Sequence, residues 1–350
     1  MTTTLRVRNV HAALPAAIKL LTKHGLNEPS RNGPVLVYPY PLTTLYERPE
    51  ERVLFWHERD ANPFFHLMEA LGFLAGRYDV EFFANYVKQM RAYSDDGVWL
   101  PASYGHRIRT YFDVDQFKWA IGRLRADYND RRVVISMWDP VMDPVMADKG
   151  SKDVPCNVSL FLNIRDGKLC MQVNNRSNDA LFGAYGANAV HMSIFQEYIA
   201  SAIGVPVGWY AQNSFNMHLY LDVYRKMKER PAAGSPGISL VPLNAAVRGT
   251  RCNNPYEAAI NTFPLVSTPL DSWDQDLQNF LSGAEASTIS DPFFHKVAIP
   301  LRDAHLSYRE GRYIDAREHL ERCDALDWRT AAYEWLGRRQ ADVIRAANRA

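Results

Sequence analysis

The dipeptide Asp166-Gly167 stands between two β-type runs, Val158 to Ile164 and Lys168 to Val173. Asp-Gly between such runs is a strong hairpin signal, because a two-residue turn that follows strand twist needs φ above zero at both central positions. An antiparallel pair is therefore predicted here, and any fold for this chain must be built around a sheet. Val35-Leu36-Val37-Tyr38, bounded by Gly33-Pro34 and Pro39, reads as a second short strand, and Arg132 to Met137 as a buried one. Gly208 to Tyr220 carries strand-like aromatics. Helical periods fall between these runs: Leu14 to His24 ending at Gly25, Phe64 to Leu74 after Asn62-Pro63, Asp115 to Asp127, and Ala187 to Ile203 closed by Gly204. Arg230 to Gly237, rich in Pro, Ala and Gly, reads as a loop. From Asp303 onward the pattern is helical and charged: Ala304 to Arg309, a break at Gly311, Tyr313 to Cys323, then Thr330 to Arg349. The expectation is an α+β fold, with a sheet-centred domain over 1–285 and a helical C-terminal extension over 286–350. Trp328 and Trp335 of that extension are expected to pack inward.

Composition narrows the function classes. A net charge of +1 and a pI near 7.7 ask for neither nucleic acid nor a membrane surface as partner. No apolar run approaches bilayer length. Met1 to His11 has no apolar signal core, which sets the expectation of a cytoplasmic protein, in a host's cytoplasm if phage-encoded. The cysteines Cys156, Cys170, Cys252 and Cys323 show no paired C-x-x-C spacing, so neither a disulfide framework nor a metal site is expected, and the thiols are left free.

One of those thiols sits among unusual company. Val154-Pro155-Cys156-Asn157 precedes a strand; Asn174 to Asp179 is dense in hydrogen-bonding groups; Gly183 to Asn188 opens a helix; Asn216 to Tyr220 follows; and Asp130-Arg131-Arg132 lies upstream. Taken singly, each has an ordinary structural reading. A cysteine before a strand is usually a small buried hydrophobe, an Arg-Arg pair a solvated turn, Asn188 a helix cap, Asp179 a turn cap, and His218 a satisfied core residue. His106 and His191 read as structural. Taken together, they fit addition of a thiolate to C6 of a pyrimidine, which makes C5 nucleophilic. Arg176, Arg131 and Arg132 suit a phosphate and would lower a thiol pKa. Asn188 offers one donor and one acceptor to a base edge. His218 and Tyr220 share a strand face and suit sugar hydroxyls. Glu69, between Phe65, Met68, Leu71 and Phe73, is expected to have a raised pKa and to relay protons.

In their order these segments resemble the thymidylate synthase superfamily, whose members include deoxyuridylate methylases and deoxycytidylate and deoxyuridylate hydroxymethylases. The resemblance covers about Arg31 to Tyr220 and is densest from Arg131. Pro155-Cys156 matches the nucleophile pair, and Arg176-Ser177-Asn178-Asp179 the R-S-x-D segment. Gly183 and Asn188 match the Gly and Asn that follow, and His218-Leu219-Tyr220 the closing H-x-Y. Arg131-Arg132 matches a double arginine that reaches the partner's phosphate site, Arg31 a mobile phosphate-binding arginine, Glu69 the catalytic glutamate, and Tyr104-Gly105 the active-site tyrosine.

The resemblance implies a large mixed sheet packed by helices and a homodimer with shared active sites. It also implies a folate-dependent transferase using 5,10-methylenetetrahydrofolate as co-substrate on dCMP or dUMP, with Asp179, Gly183 and Met90 beside the folate. Cys156, Glu69 and Tyr104 would carry the chemistry; Arg31, Arg131, Arg132, Arg176, Ser177, Asn188, His218 and Tyr220 would hold the nucleotide. The departures are Asn157 in place of the usual His, Asn178 in place of Cys, Met90 where a shielding Trp is common, and one extra residue between Gly183 and Asn188. The first three tilt the expectation toward 5-hydroxymethylation, and the extra residue bears on the base-reading register. Reductive methylation of dUMP, or a silent relative that binds nucleotide or RNA, remain alternatives.

Overall fold

Asp166 (φ 49°) and Gly167 (φ 68°) both take the left-handed backbone conformation, and the strands on either side pair from Arg165↔Lys168 outward. The hairpin is thus where the turn chemistry predicts it. The computed structural model describes residues 3–230, 242–250, 254–258 and 260–348. Residues 231–237 of the Pro/Ala/Gly-rich stretch, Cys252 and Arg349 lie outside the described residues. The chain divides into two compact units: Met1–Arg52 with Met68–Glu229, and Val53–Leu67 with Arg230–Ala350.

Ten strands belong to the first unit: β1 (Thr3–Val7), β2 (Leu26–Glu28), β3 (Val35–Val37), β4 (Leu42–Tyr46), β5 (Val134–Ser136), β6 (Asn157–Arg165), β7 (Lys168–Asn175), β8 (Asn178–Asp179), β9 (Val207–Ser214) and β10 (Met217–Tyr220). They form a six-stranded mixed sheet ordered β1-β4-β9-β7-β6-β5, and a four-stranded sheet ordered β2-β3-β10-β8. The aromatic run predicted over Gly208 to Tyr220 divides between the two sheets, β9 in the larger and β10 in the smaller. β7 and β9 are parallel, so their C-terminal ends, Asn175 and Ser214, lie side by side. β6 carries a register shift between Asn157 and Ser159, directly after Cys156. A bulge of this kind bends a strand end and re-aims its side chains.

The helix Asn188–Ile203 is buried along almost its whole length and ends at Gly204 with φ 84°. Its Gln196 Nε2 donates to the carbonyls of Leu169 (2.7 Å) and Trp209 (3.1 Å), binding it to β7 and β9. Phe117, from helix Gln116–Ala126, stands edge-on to Phe195 at 5.2 Å. The first helix begins earlier than its apolar period suggests, at Val10, because Asn9 caps it through the Ala12 N–H (3.1 Å). The strand expected to be buried over 132–137 is shorter and lies at the sheet edge. Ile135 is fully buried, whereas Val134 and its cross-strand partner Phe161 are 38% and 44% exposed.

The second unit is helical: Leu270–Ser282, Ile299–Arg309, Tyr313–Glu321 and Leu326–Ala347. Gly311 (φ 77°) makes the predicted break, and Trp328 and Trp335 are buried, Trp335 edge-on to Phe64 (5.6 Å) and Tyr308 (4.9 Å). Asp60 is held by Arg338 (2.8 Å) and Arg339. Among the described residues no helix is long and apolar enough to cross a membrane.

In the first unit, Gly105 touches the backbone of Phe73, and a Cβ there would overlap the Phe73 carbonyl. Backbone cannot yield as a side-chain tip can, so Gly105→Ala should cost about 3 kcal/mol or more. The measurement is the shift in denaturation midpoint at unchanged m-value.

Candidate active site

A cavity of about 620 Å³ opens in the first unit where the ends of β6, β7, β8 and β10 meet. Every residue singled out from the sequence lines it except Arg131 and Arg132: Arg31, Glu69, Met90, Tyr104, Cys156, Arg176, Ser177, Asp179, Gly183, Asn188, His218 and Tyr220. Arg132 instead pairs with Asp130 (2.9 Å) and its side chain is 77% exposed. Neither arginine of that pair acts on the Cys156 thiol within one chain.

Cys156 ends the segment leading into β6 and is half-buried. Arg176 braces that segment, donating from Nε to the Pro155 carbonyl (2.9 Å) and from Nη2 to the Val154 carbonyl (3.0 Å), while Nη2 lies 3.8 Å from Cys156 Sγ. The same guanidinium lies over the Trp138 ring at 5.9 Å. Burial pushes the Cys156 thiol above its ordinary value; Arg176 and, more weakly, Arg31 pull it down, and Asp153 pushes it up. The sequence led to an expected lowering. The arginine does act in that direction, but the cost of placing a thiolate in a desolvated cleft is larger. Asp153 itself is pushed up to about 6, chiefly by burial, and accepts from the Ala102 N–H (2.7 Å).

Tyr104 faces the same thiol; burial first, then the charges of Cys156, Asp153 and Glu69, hold its phenol well above the ordinary value. Phe73 stands edge-on to Tyr104 at 5.6 Å, so helix Pro63–Leu74 supplies both Glu69 and the wall behind the tyrosine. His218 and Tyr220 do share a face of β10, with rings 5.1 Å apart and perpendicular, and His218 Nδ1 is 3.1 Å from Asn216 Oδ1. Arg31 Nη1 reaches the Ser151 carbonyl at 3.4 Å. Asp179 caps the turn that follows it, accepting the Phe182 N–H (2.5 Å).

Asn178 and Asn188, which line the cavity, belong to a closed ring of neutral side chains. Asn188 Nδ2 donates to Asn178 Oδ1 (3.1 Å), Asn178 Nδ2 to Ser214 Oγ (3.1 Å), Ser214 Oγ to Asn175 Oδ1 (3.4 Å), Asn175 Nδ2 to Asn157 Oδ1, and Asn157 Nδ2 to Asn188 Oδ1 (3.3 Å). All five are buried. A Cβ at Gly183 would come within 2.8 Å of Asn178 Oδ1 and 3.2 Å of Asn188 Nδ2, so the glycine makes room for this bond. The extra residue before Asn188 is absorbed in a wide turn over Ala180–Ala187. There Tyr185 and Gly186 leave helical geometry and Asn188 still reaches the cavity. The Asn188 amide therefore goes to the ring and not to a helix cap.

Sequence reasoning missed Tyr93, Leu100, Trp138 and Asp153, which line the cavity, and His191, which lies behind it. No motif marks them, and only the folded geometry brings them in.

The arrangement defines a class of site: a thiol with a forked cation beside it and a neutral amide frame, in a cavity of small-molecule size. A family model described as thymidylate synthase matches residues 57–245. The chain is 45% identical over 343 residues to a deoxyuridylate hydroxymethyltransferase of Pseudomonas phage M6, covering 96% of this chain and 94% of that protein. It is 39% identical over 194 residues to a protein of the same description from Bacillus phage SP01, covering 53% and 50%. Another, from Delftia phage PhiW-14, is 32% identical over 180 residues, covering 49% and 50%. This chain belongs to the thymidylate synthase family.

Two outcomes are expected at this site. Cys156 should alkylate slowly with iodoacetamide at neutral pH, with a midpoint above the ordinary thiol value, and Arg176→Gln should move that midpoint higher still. Mass spectrometry of the Cys156 peptide measures both, and a midpoint below the ordinary value would mean that the guanidinium outweighs burial. Asn178→Val opens the ring and strands buried donors and acceptors on Asn188 and Ser214. It should lower stability by about 2 kcal/mol or more, read as a shift in Tm.

Proposed function

We propose that this protein adds a hydroxymethyl group to C5 of deoxyuridylate, with 5,10-methylenetetrahydrofolate as one-carbon donor. The observation that carries the reading is the thiol of Cys156, 3.8 Å from the Arg176 guanidinium, in one cavity with Glu69, Tyr104 and the amide of Asn188. The phage relative that matches over nearly the full chain is described as acting on deoxyuridylate, which favours uracil over cytosine.

The cavity suits both ligands. Its volume of about 620 Å³ falls within the range of small-molecule sites, roughly 300–1,000 Å³. Phe73, Met90, Tyr93, Leu100 and Trp138 offer flat and apolar wall for a pterin, and the ring's Asn188 offers a donor and an acceptor to a pyrimidine edge. When bound, the folate supplies carbon at the oxidation level of formaldehyde.

The chain's own residues divide the remaining work. Arg176 and Arg31 hold the nucleotide phosphate with Ser177 assisting, and His218 and Tyr220 hold the sugar. Cys156 loses its proton and bonds to C6, sending the ring electrons toward C5 and O4, where Glu69 acts through water as the proton donor. A water held by the Tyr104 hydroxyl takes the C5 proton after the new carbon bond forms. Expulsion of the folate amine leaves an exocyclic methylene, water adds to it, and departure of the Cys156 thiolate then restores the C5–C6 double bond. Met90 is slimmer than the aromatic common in the family, and this favours entry of that water. Asp179 and Gly183 border the folate side.

Arg131 and Arg132 complete the phosphate site from the second copy of a homodimer in this reading. Two features support it: their absence from the lining of their own chain's cavity, and the exposed apolar pair Val134 and Phe161 on the neighbouring sheet edge. The host cytoplasm is the compartment we assign.

The test is tritium release from dUMP and from dCMP labelled at C5, with methylenetetrahydrofolate, followed by product mass. Wild type is expected to release tritium from dUMP and give 5-hydroxymethyl-dUMP with tetrahydrofolate, and Cys156→Ser to lose roughly a thousand-fold or more. A methyl product with dihydrofolate would make it a thymidylate synthase; no release from either nucleotide would sink the enzyme reading.

A further inference from the structure

Glu69 has a neighbour that neither the family resemblance nor the cavity lining supplies. His191, one turn into helix Asn188–Ile203, brings Nε2 to 2.8 Å from Glu69 Oε2. Both side chains are buried, His191 2% exposed and Glu69 8%. The imidazole stands edge-on to Phe73 at 4.9 Å, which fixes its plane. The approach is out of line, so neither atom completes a hydrogen bond of good geometry, and among the described residues no other hydrogen-bond partner meets Glu69 Oε2 or either His191 nitrogen. At 2.8 Å between a carboxyl oxygen and a ring nitrogen, a small rotation of either group closes the bond. Leaving both unpaired in a buried site would cost several times more than that rotation.

We propose that His191 is the positioning residue of Glu69: its Nε2–H donates to Oε2 and thereby turns Oε1 toward the cavity. Glu69 lines the cavity and Oε2 is completely buried, which leaves Oε1 as the oxygen able to meet a water there. The Nε2–H tautomer follows from the surroundings. With the proton on Nε2, the bond satisfies donor and acceptor together and leaves only a lone pair on Nδ1. With the proton on Nδ1, a buried N–H would have no acceptor, which is the costlier arrangement. The Asn188–Ile203 helix links this pair to the amide ring: its first residue sits in the ring, and three residues on it holds the carboxylate. The helix thus sets the base-reading amide and the proton-transferring carboxylate in one rigid frame.

The role assigned to His191 rests on the proposed C5 chemistry, and the test separates the two. Wild type, His191→Gln and His191→Leu are compared for kcat and KM in tritium release, for dUMP binding, and for Tm. The glutamine Nε2 can donate to Oε2 as the imidazole does; leucine cannot. His191→Leu should lose roughly 10- to 100-fold in kcat with KM for dUMP within about two-fold, and His191→Gln should recover most of the loss. Equal activity in wild type and His191→Leu, or a His191→Gln variant no better than His191→Leu, would overturn the proposal. Should the leucine variant fail to fold, the wild-type protein labelled with nitrogen-15 in histidine still decides. The His191 signals, assigned by their loss in His191→Gln, should report a proton on Nε2 and shift in Glu69→Gln. A proton on Nδ1, or no response to Glu69→Gln, would overturn it. That measurement needs no turnover, so absence of tritium release in wild type would fail the proposed function while leaving the Glu69–His191 pair open to proof.

Discussion

Four strand ends and one helix start are tied together by five buried side chains that carry no charge. Asn157 opens β6, Asn175 closes β7, Asn178 lies in β8, Ser214 closes β9, and Asn188 begins the long buried helix. Each donates once and accepts once around the ring, so a displacement of any element leaves buried polar groups unpaired, at a cost of about 1–3 kcal/mol for each. The working groups hang directly from this frame. Cys156 precedes Asn157, and Arg176 and Ser177 occupy the short link between Asn175 and Asn178. Position in the site is therefore set by the same bonds that hold the sheets and the helix in register.

The electrostatics of Cys156 come from competition within that frame. Burial raises the Cys156 thiol, and Arg176 works against it from 3.8 Å. The guanidinium is also spent on the carbonyls of Val154 and Pro155, so it braces the backbone that carries the thiol as well as biasing its ionisation. One side chain couples the position of the sulfur to its proton affinity.

Much of this was legible before any fold was known. Turn chemistry at Asp166-Gly167 and the stop at Gly204 located their elements, since a backbone needing φ above zero leaves a local signature. The order of polar segments located the thiol, the arginines Arg31 and Arg176 and the amide of Asn188 on the cavity wall. Tertiary choices were harder to read. Nothing local says that 207–220 divides between two sheets, or that Val134 lies at an edge. Nor does the sequence show that burial outweighs arginine at Cys156, because desolvation depends on everything packed around the sulfur. His191 looked like an ordinary core histidine, and nothing local marks the room that Gly183 leaves beside the cavity. The one faces a carboxylate, and the other clears space for an asparagine pair.

The ring has one further property. An amide does not titrate, and Asn157 stands where the family usually has a histidine. The ring thus keeps the same donors and acceptors at every pH the cell can reach. The groups that burial shifts, the Cys156 thiol, the Asp153 carboxyl and the Tyr104 phenol, stand outside it. In the proposed reaction, base recognition would then be electrically decoupled from proton transfer. A shift in acidity would change how fast the site works without changing which base it takes.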